Sequence, residues 1–119
     1  MDAANTVDSG KMEVIPDGAI VTRGGRNRPE DIEKGMGTHP SGVNGVSVES
    51  RDGKSVEELA ANIPHTQIGV TTVGKVRAAG GDVVPTSGRS PNHATLTGLS
   101  PKQISDLLTP TKPNPSRKA

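Results

Sequence analysis

Residues 63–99 read IPHTQIGVTTVGKVRAAGGDVVPTSGRSPNHATLTGL, and this stretch decides the fold. Apolar residues alternate over 67–70, which predicts a short strand. They recur every three positions over 73–79, which predicts a helix that ends at the following glycine pair. Two further strands are predicted over 82–84 and 93–97. The stretch therefore reads as strand, helix, strand, loop and strand.

The rest of the chain repeats this mixture of short elements. Alternation predicts strands over 19–23 and 46–50. Capping residues and apolar spacing predict helices over 29–34, 55–61 and 100–108. Together these elements predict a single α+β domain, with a small antiparallel sheet and helices packed on one side.

The ends of the chain have a different composition from its middle. Residues 1–11 are small and polar, which predicts a disordered N-terminal segment. Residues 111–119 are rich in proline and are predicted to form a flexible tail. The predicted domain therefore covers residues 12–110. No apolar run approaches the roughly 18 residues needed to cross a bilayer, so no membrane segment is predicted.

The chain contains no Phe, Tyr, Trp or Cys. Its core must therefore be built from aliphatic residues and methionine, and disulfides and thiolate metal sites are excluded. The three histidines, His39, His65 and His93, are too far apart in sequence to match a local metal motif. The sequence therefore predicts neither a metal nor a cofactor.

His93 is the leading candidate for chemistry, because it shares one face of its predicted strand with Thr95 and Thr97. A histidine titrates near neutral pH, so it is suited to general acid or base catalysis. The alternative interpretation is a half-buried histidine that only binds a neighbouring loop. The sequence leaves both interpretations open.

His65 is the predicted partner of His93. Two imidazoles, one base and one acid, suffice to cleave RNA through attack of the 2′-hydroxyl on the adjacent phosphate. In this hypothesis Thr95 and Thr97 position the phosphate or the imidazole. The remaining candidates supply positive charge or contact the substrate, and they are Lys75, Arg77, Arg89, Asn92 and Arg23. His39 is interpreted as an exposed bystander.

Charge is distributed unevenly along the chain. Residues 1–60 carry 7 Lys/Arg and 11 Asp/Glu, whereas residues 61–119 carry 7 Lys/Arg and 2 Asp/Glu. The basic half contains the predicted histidine pair, which favours a polyanionic substrate such as RNA. Part of this excess comes from the predicted tail, so it does not by itself distinguish RNA binding from a solvated end.

A second interpretation begins at Arg23. This arginine ends a predicted strand and precedes Gly24-Gly25, and Val46-Ser47-Val48-Glu49-Ser50 forms a later serine-containing strand. The arrangement resembles ADP-ribosyltransferases, in which an arginine on the first strand grips NAD and a serine-rich strand follows. Those enzymes stack the nicotinamide on an aromatic ring, which this chain lacks.

The segments TRGG, GVSVES, VEELAANIPHTQIGVTTVGKVRAAGGDVVP and PNHATLTGLSPKQISDLLTPTKPNP together resemble the C-terminal toxin domains of bacterial polymorphic and contact-dependent inhibition toxins. The resemblance covers residues 13–115. Many such domains are small metal-independent RNases of the barnase, EndoU, colicin and RelE types. In an EndoU-like domain His65, His93, Lys75 and Thr95 or Thr97 would be catalytic, although the family's tyrosine is missing here.

This resemblance implies a function and a set of partners. The function is cleavage of structured RNA, for example transfer RNA, in the cytoplasm of a target bacterium. The competing class is a non-enzymatic interaction module, in which the histidines are incidental. Such a toxin domain would be secreted as part of a longer parent protein. It would act as a monomer and be neutralised in a heterodimer with an immunity protein, which we expect to be acidic because the C-terminal half is basic.

Overall fold

The strands form one antiparallel sheet in the computed structural model, which describes residues 13–117. The strands are β1 (Ile20–Gly24), β2 (Gly37–Thr38), β3 (Asn44–Glu49), β4 (Gln67–Thr72), β5 (Asp82–Pro85), β6 (His93–Thr97) and β7 (Lys112–Pro113). Their order across the sheet is β5-β6-β3-β1-β4-β7, and β2 pairs with β3. The predicted antiparallel sheet is confirmed.

Four helices connect these strands. They are α1 (Pro29–Gly35), α2 (Val56–Ala60), α3 (Val73–Ala78) and α4 (Pro101–Leu108). The side chains of Ser55, Thr72 and Ser100 accept hydrogen bonds from backbone N–H groups in the first turns of α2, α3 and α4. These caps satisfy donors that a helix start leaves free, so they fix where each short helix begins. The predicted α+β class is confirmed.

Three of the helices cover the main core. The buried residues Ile32 of α1, Val76 of α3 and Leu108 of α4 pack in one cluster with the inward side chains of the sheet. Helix α2 contributes instead to a second cluster, in which Ala60 packs with Ile68. Successive residues of a strand face opposite sides of the sheet. Ile68 therefore faces the second cluster, whereas its neighbour Gly69 faces Leu108 of the main core. The sequence predicted helices on one side, and α2 lies on the other.

The C-terminal segment corrects the predicted domain boundary. The prediction ended the fold at residue 110, but β7 pairs with the first two residues of β4. Asn114 is buried, and its side-chain Nδ2 donates to the backbone oxygens of Ile63 and His65 at 3.1 and 2.9 Å. Residues 111–117 are therefore part of the domain, because they satisfy backbone groups that the core leaves unpaired.

The predicted disorder of residues 1–11 lies outside the residues that the structure describes. The domain begins near its predicted start, because Ile15 is fully buried in the main core. None of the helices within residues 13–117 has the length and apolar character needed to span a bilayer.

Replacing Asn114 by alanine should destabilise the protein by about 1–3 kcal/mol, because the His65 carbonyl loses its side-chain donor and the Ile63 carbonyl keeps only that from Arg117. The measurement is the free energy of unfolding in urea. Asn44→Ala is the matched control, since its side chain binds only the exposed Thr38 hydroxyl, and it should change stability by no more than about 0.5 kcal/mol. Equal stability of the Asn114→Ala variant and the unmodified chain would contradict the structural role of the segment.

Candidate functional site

The sheet opens between β1 and β3. Strand β1 is registered with β4 along its whole length, from Ile20 to Gly24, but with β3 only through the pair Thr22 and Glu49. Beyond that pair the two strands are no longer joined by ladder bonds. The gap between them forms a cleft of about 540 Å³.

Arg23 reaches across this gap. Its Nη1 donates to the backbone oxygen of Ser47 on β3 at 2.8 Å. Its Nε is buried and has no partner within residues 13–117. Burial lowers the pKa of the guanidinium, and the nearby Asp31 carboxylate partly opposes this effect. Arg23 therefore presents a cation with unused hydrogen-bonding capacity to the cleft.

Glu49 lines the same cleft from β3. Its Oε1 is buried and has no partner within residues 13–117. No ion pair joins Glu49 to Arg23 among the described side chains. Buried charges are normally paired, because desolvation of a lone charge is costly. Arg23 and Glu49 thus line one cleft, and each has a buried polar atom without a partner among the described residues.

We call this space the arginine cleft, and its defining residues are Arg23, Ser47, Glu49, Asn62 and His65. Its rim is basic, since Arg26, Arg28 and Lys34 also line it. Arg28 is engaged by Asp31 at 2.8 Å, and this hydrogen bond lowers the pKa of Asp31 to about 2. The remaining rim charge belongs to Arg26 and Lys34.

The chain after α2 forms the opposite wall of the cleft. Ile63 and Pro64 supply an apolar surface. His65 packs directly over Gly24, where a methyl group on the glycine would overlap the imidazole ring. The absence of a Cβ at Gly24 thus allows the histidine to approach the end of β1.

A second cleft of about 590 Å³ adjoins the first, and we call it the His93 cleft. The two clefts share Ser47, Glu49, Asn62 and Pro64, and the His93 cleft adds Arg89 and His93. The predicted pair of histidines therefore lies on two sides of one common wall. This arrangement brings His65, His93, Arg89 and Arg23 into the same region of the surface.

Hydrogen bonds fix the tautomer of His93. Its Nδ1 lies 3.2 Å from the backbone oxygen of Thr86 and 2.9 Å from the Thr86 hydroxyl. A carbonyl oxygen only accepts, so Nδ1 carries the proton. In the neutral ring Nε2 is then an acceptor, and the Ser47 hydroxyl donates to it at 3.1 Å. The result is a chain from Ser47 through His93 to Thr86.

His39 is not the exposed bystander of the sequence interpretation. The ring is half-buried, and its centroid lies 5.9 Å from that of His93. Its Nδ1 accepts from the backbone N–H of Ser41 at 3.0 Å, and its Nε2 lies 2.7 Å from the backbone oxygen of Ser87. His39 thus carries its proton on Nε2 and ties its loop to the loop before β6.

Thr95 and Thr97 do not face the two clefts with His93. Thr95 is buried, and its hydroxyl is bonded to that of Thr86 at 2.9 Å. Thr97 pairs with Gly45 at the start of β3, and its hydroxyl donates to the Asn44 carbonyl. Of the two predicted roles, Thr95 can only help to position the imidazole, through Thr86, and the prediction for Thr97 is wrong because it lies at the far end of β6.

Lys75 and Arg77 are also separated from the histidines. They follow Thr72, which pairs with Ile20 at the far end of β1 from Gly24. Arg77 is engaged by Asp17 and Asp82 at 2.6 and 2.9 Å, so it stabilises the fold. Asn92 is buried next to His93, and its backbone N–H donates to the Ser90 hydroxyl. Of the predicted cations, Arg23 and Arg89 are the ones at the site.

Glu49 is the functional candidate that the sequence interpretation did not single out. The alternation of Val46 and Val48 with Ser47 and Glu49 predicts that the two polar side chains share the face opposite the valines. The alternation alone does not place Glu49 in one cleft with Arg23, because that depends on the register between strands distant in sequence.

Comparison of the chain with protein-family models, curated proteins and solved structures found no match. Within residues 13–117, no group of three or more His, Asp or Glu side chains is arranged to hold a metal ion. The candidate site therefore rests on the geometry of the two clefts.

The hydrogen bonds predict opposite tautomers for two neighbouring histidines. At a pH where both rings are neutral, long-range ¹H–¹⁵N spectra should show the proton of His93 on Nδ1 and that of His39 on Nε2. His93→Gln and His39→Gln variants assign the signals. A neutral His93 with its proton on Nε2 would contradict the hydrogen-bond chain from Ser47.

Proposed function

We propose that this domain binds NAD in the arginine cleft and cleaves its nicotinamide–ribose bond, as an ADP-ribosyltransferase of the toxin type does. The observation that carries the proposal is the pair of buried, unpartnered groups, Arg23 Nε and Glu49 Oε1, in one cleft. NAD has an anionic pyrophosphate and a cationic nicotinamide ring. A ligand with both signs of charge complements both groups.

Arg23 is the proposed phosphate ligand. A guanidinium forms paired hydrogen bonds to phosphate oxygens, and such charge-assisted bonds strengthen in a partly desolvated site. The bond from Nη1 to Ser47 holds the side chain in place before a ligand arrives. Arg26 and Lys34 on the rim add positive charge that attracts the pyrophosphate.

Glu49 is the proposed stabiliser of the reacting sugar. When the bond between ribose C1′ and the nicotinamide nitrogen breaks, the electron pair leaves with the neutral base and positive charge develops on the ribose. A fixed carboxylate beside that charge lowers the barrier, as in other glycosidic cleavages. Glu49 lines the arginine cleft, and its Oε1 has no hydrogen-bond partner within residues 13–117.

The apolar wall supports the same ligand. Ile63 and Pro64 line the arginine cleft, and the chain has no aromatic ring to stack on nicotinamide. Aliphatic surface contacts a flat ring through dispersion and exclusion of water, without stacking geometry. We therefore expect weaker binding of NAD than an aromatic site gives.

The biological role that we propose follows from the resemblance to bacterial toxin domains. In that role the domain acts in the cytoplasm of a target bacterium, and an immunity protein covers the cleft. The basic rim favours an acidic partner, because complementary charge speeds association and orients the complex.

RNA cleavage is the second candidate function. The observation in its favour is that His65 and His93 line adjoining clefts with a shared wall, where one can act as base and the other as acid. Arg23 and Arg89 would replace the distant Lys75 and Arg77 as the groups that stabilise the phosphorane.

Displacing the Arg23 guanidinium should weaken NAD binding. Arg23→Gln should raise the Kd about 10–100-fold, because charge-assisted hydrogen bonds contribute about 1.5–3 kcal/mol. Gly35→Ala tests the same contact without changing charge, since the new Cβ would lie 2.5 Å from Arg23 Nη2. Gly37→Ala is the matched control, because its Cβ would meet no atom within 4 Å. Calorimetry measures the four Kd values, and equal values would contradict the phosphate role of Arg23.

One assay distinguishes the two candidate functions. The purified chain is incubated with NAD, and separately with total RNA and a chelator. We expect nicotinamide release, which Glu49→Gln should slow about 10²–10³-fold through lost electrostatic stabilisation. Lys75→Gln, at the other end of the sheet, is the control and should leave the rate unchanged. RNA fragments with 2′,3′-cyclic phosphate ends and intact NAD would instead favour the RNase function.

A further inference from the structure

Ser47 occupies the wall between the two clefts. It is exposed on β3, lines both the arginine cleft and the His93 cleft, and shares a strand face with Glu49. Its backbone oxygen accepts from Arg23, the proposed phosphate ligand. The hydroxyl therefore lies near both groups that the proposed function places on NAD.

The Ser47 hydroxyl also has a base. It donates to Nε2 of His93 at 3.1 Å, and the proton on the opposite ring nitrogen is held by the carbonyl and hydroxyl of Thr86. Proteins activate a serine nucleophile by hydrogen-bonding it to a base, which a third group holds in orientation. Ser47, His93 and Thr86 form such a chain of hydrogen bonds.

The His93 ring is held from a third side. Gly88 lies against it so closely that a Cβ there would be 2.5 Å from His93 Cγ. The ring therefore has little freedom to turn away from Ser47. Thr86 and Gly88 are positioning residues, and both belong to the loop between β5 and β6.

We propose that Ser47 is a nucleophile activated by His93, and that it accepts the ADP-ribosyl group of NAD. This inference rests on the proposed function and names the acceptor. The Oγ–C1′ bond forms as the bond from C1′ to the nicotinamide nitrogen breaks. The hydroxyl proton passes to His93 Nε2, and neutral nicotinamide leaves with the bonding electron pair. The product is a chain that carries ADP-ribose on Ser47.

The experiment incubates the full chain with NAD, measures nicotinamide release, and maps the modified residue by peptide mass spectrometry. We expect one ADP-ribosyl group on Ser47, lost in Ser47→Ala and retained in the matched control Ser116→Ala, which lies outside both clefts. His93→Gln should slow modification about 10²–10⁴-fold, because glutamine cannot take the proton. Gly88→Ala tests the position of the ring without removing it and should slow the same step.

A parallel measurement uses a fluorophosphonate reagent, which tests the nucleophile without NAD. Attack by Oγ forms an O–P bond, expels fluoride and again transfers the proton to His93. We expect labelling of Ser47 that depends on His93. A folded Ser47→Ala variant, verified by urea unfolding, shows that loss of labelling is not loss of structure.

The possible outcomes separate the two proposals. Nicotinamide release with no modification at Ser47 overturns the Ser47 inference and leaves the proposed function intact. Absence of release contradicts the proposed function, and the fluorophosphonate result then decides the nucleophile alone. Labelling at Ser47 supports its activation by His93, and absence of labelling overturns it.

Discussion

The absence of aromatic side chains constrains every layer of this protein. Its buried hydrophobic residues, as far as the structure describes them, are Ile, Val, Leu and Ala. Aliphatic side chains bury less area than aromatic ones, so the layers must approach closely to exclude water. Glycine permits this approach where α4 crosses β4, since a methyl group on Gly69 would overlap the carbonyl oxygen of Leu108.

That constraint also explains how far the fold could be predicted from the sequence. Strands and helices with clear periodicity, such as β6 and α4, lie where alternation and capping residues place them. The segment after residue 110 has no apolar periodicity, so its composition resembled a flexible tail. It is ordered through Asn114, whose amide binds backbone carbonyls of a turn 50 residues earlier in the chain. Hydrogen bonds of this kind depend on tertiary contact and leave no repeating pattern in the sequence.

For the candidate site, the sequence indicated some individual residues but not which of them lie together. Arg23 could be selected from its position at the end of a strand, and His93 from the polar face that it shares with threonines. Lys75 lies close to His65 in sequence but at the opposite end of the sheet, because β4 separates them. Glu49, in contrast, is distant from Arg23 in sequence but lines the same cleft. Strand register decides both cases, and a local pattern does not determine the register between distant strands.

The charges in the arginine cleft favour one class of ligand over the other. Arg23 and Glu49 each contain a buried atom without a partner, an arrangement that costs folding free energy unless a ligand repays it. A ligand that carries only phosphates would satisfy Arg23 but would place negative charge beside the Glu49 carboxylate. In the function that we propose, the pyrophosphate of NAD binds the arginine and the cationic nicotinamide riboside lies beside the glutamate. Arg23 and Glu49 form no ion pair with each other within residues 13–117, so our proposal assigns one charge of the ligand to each of them.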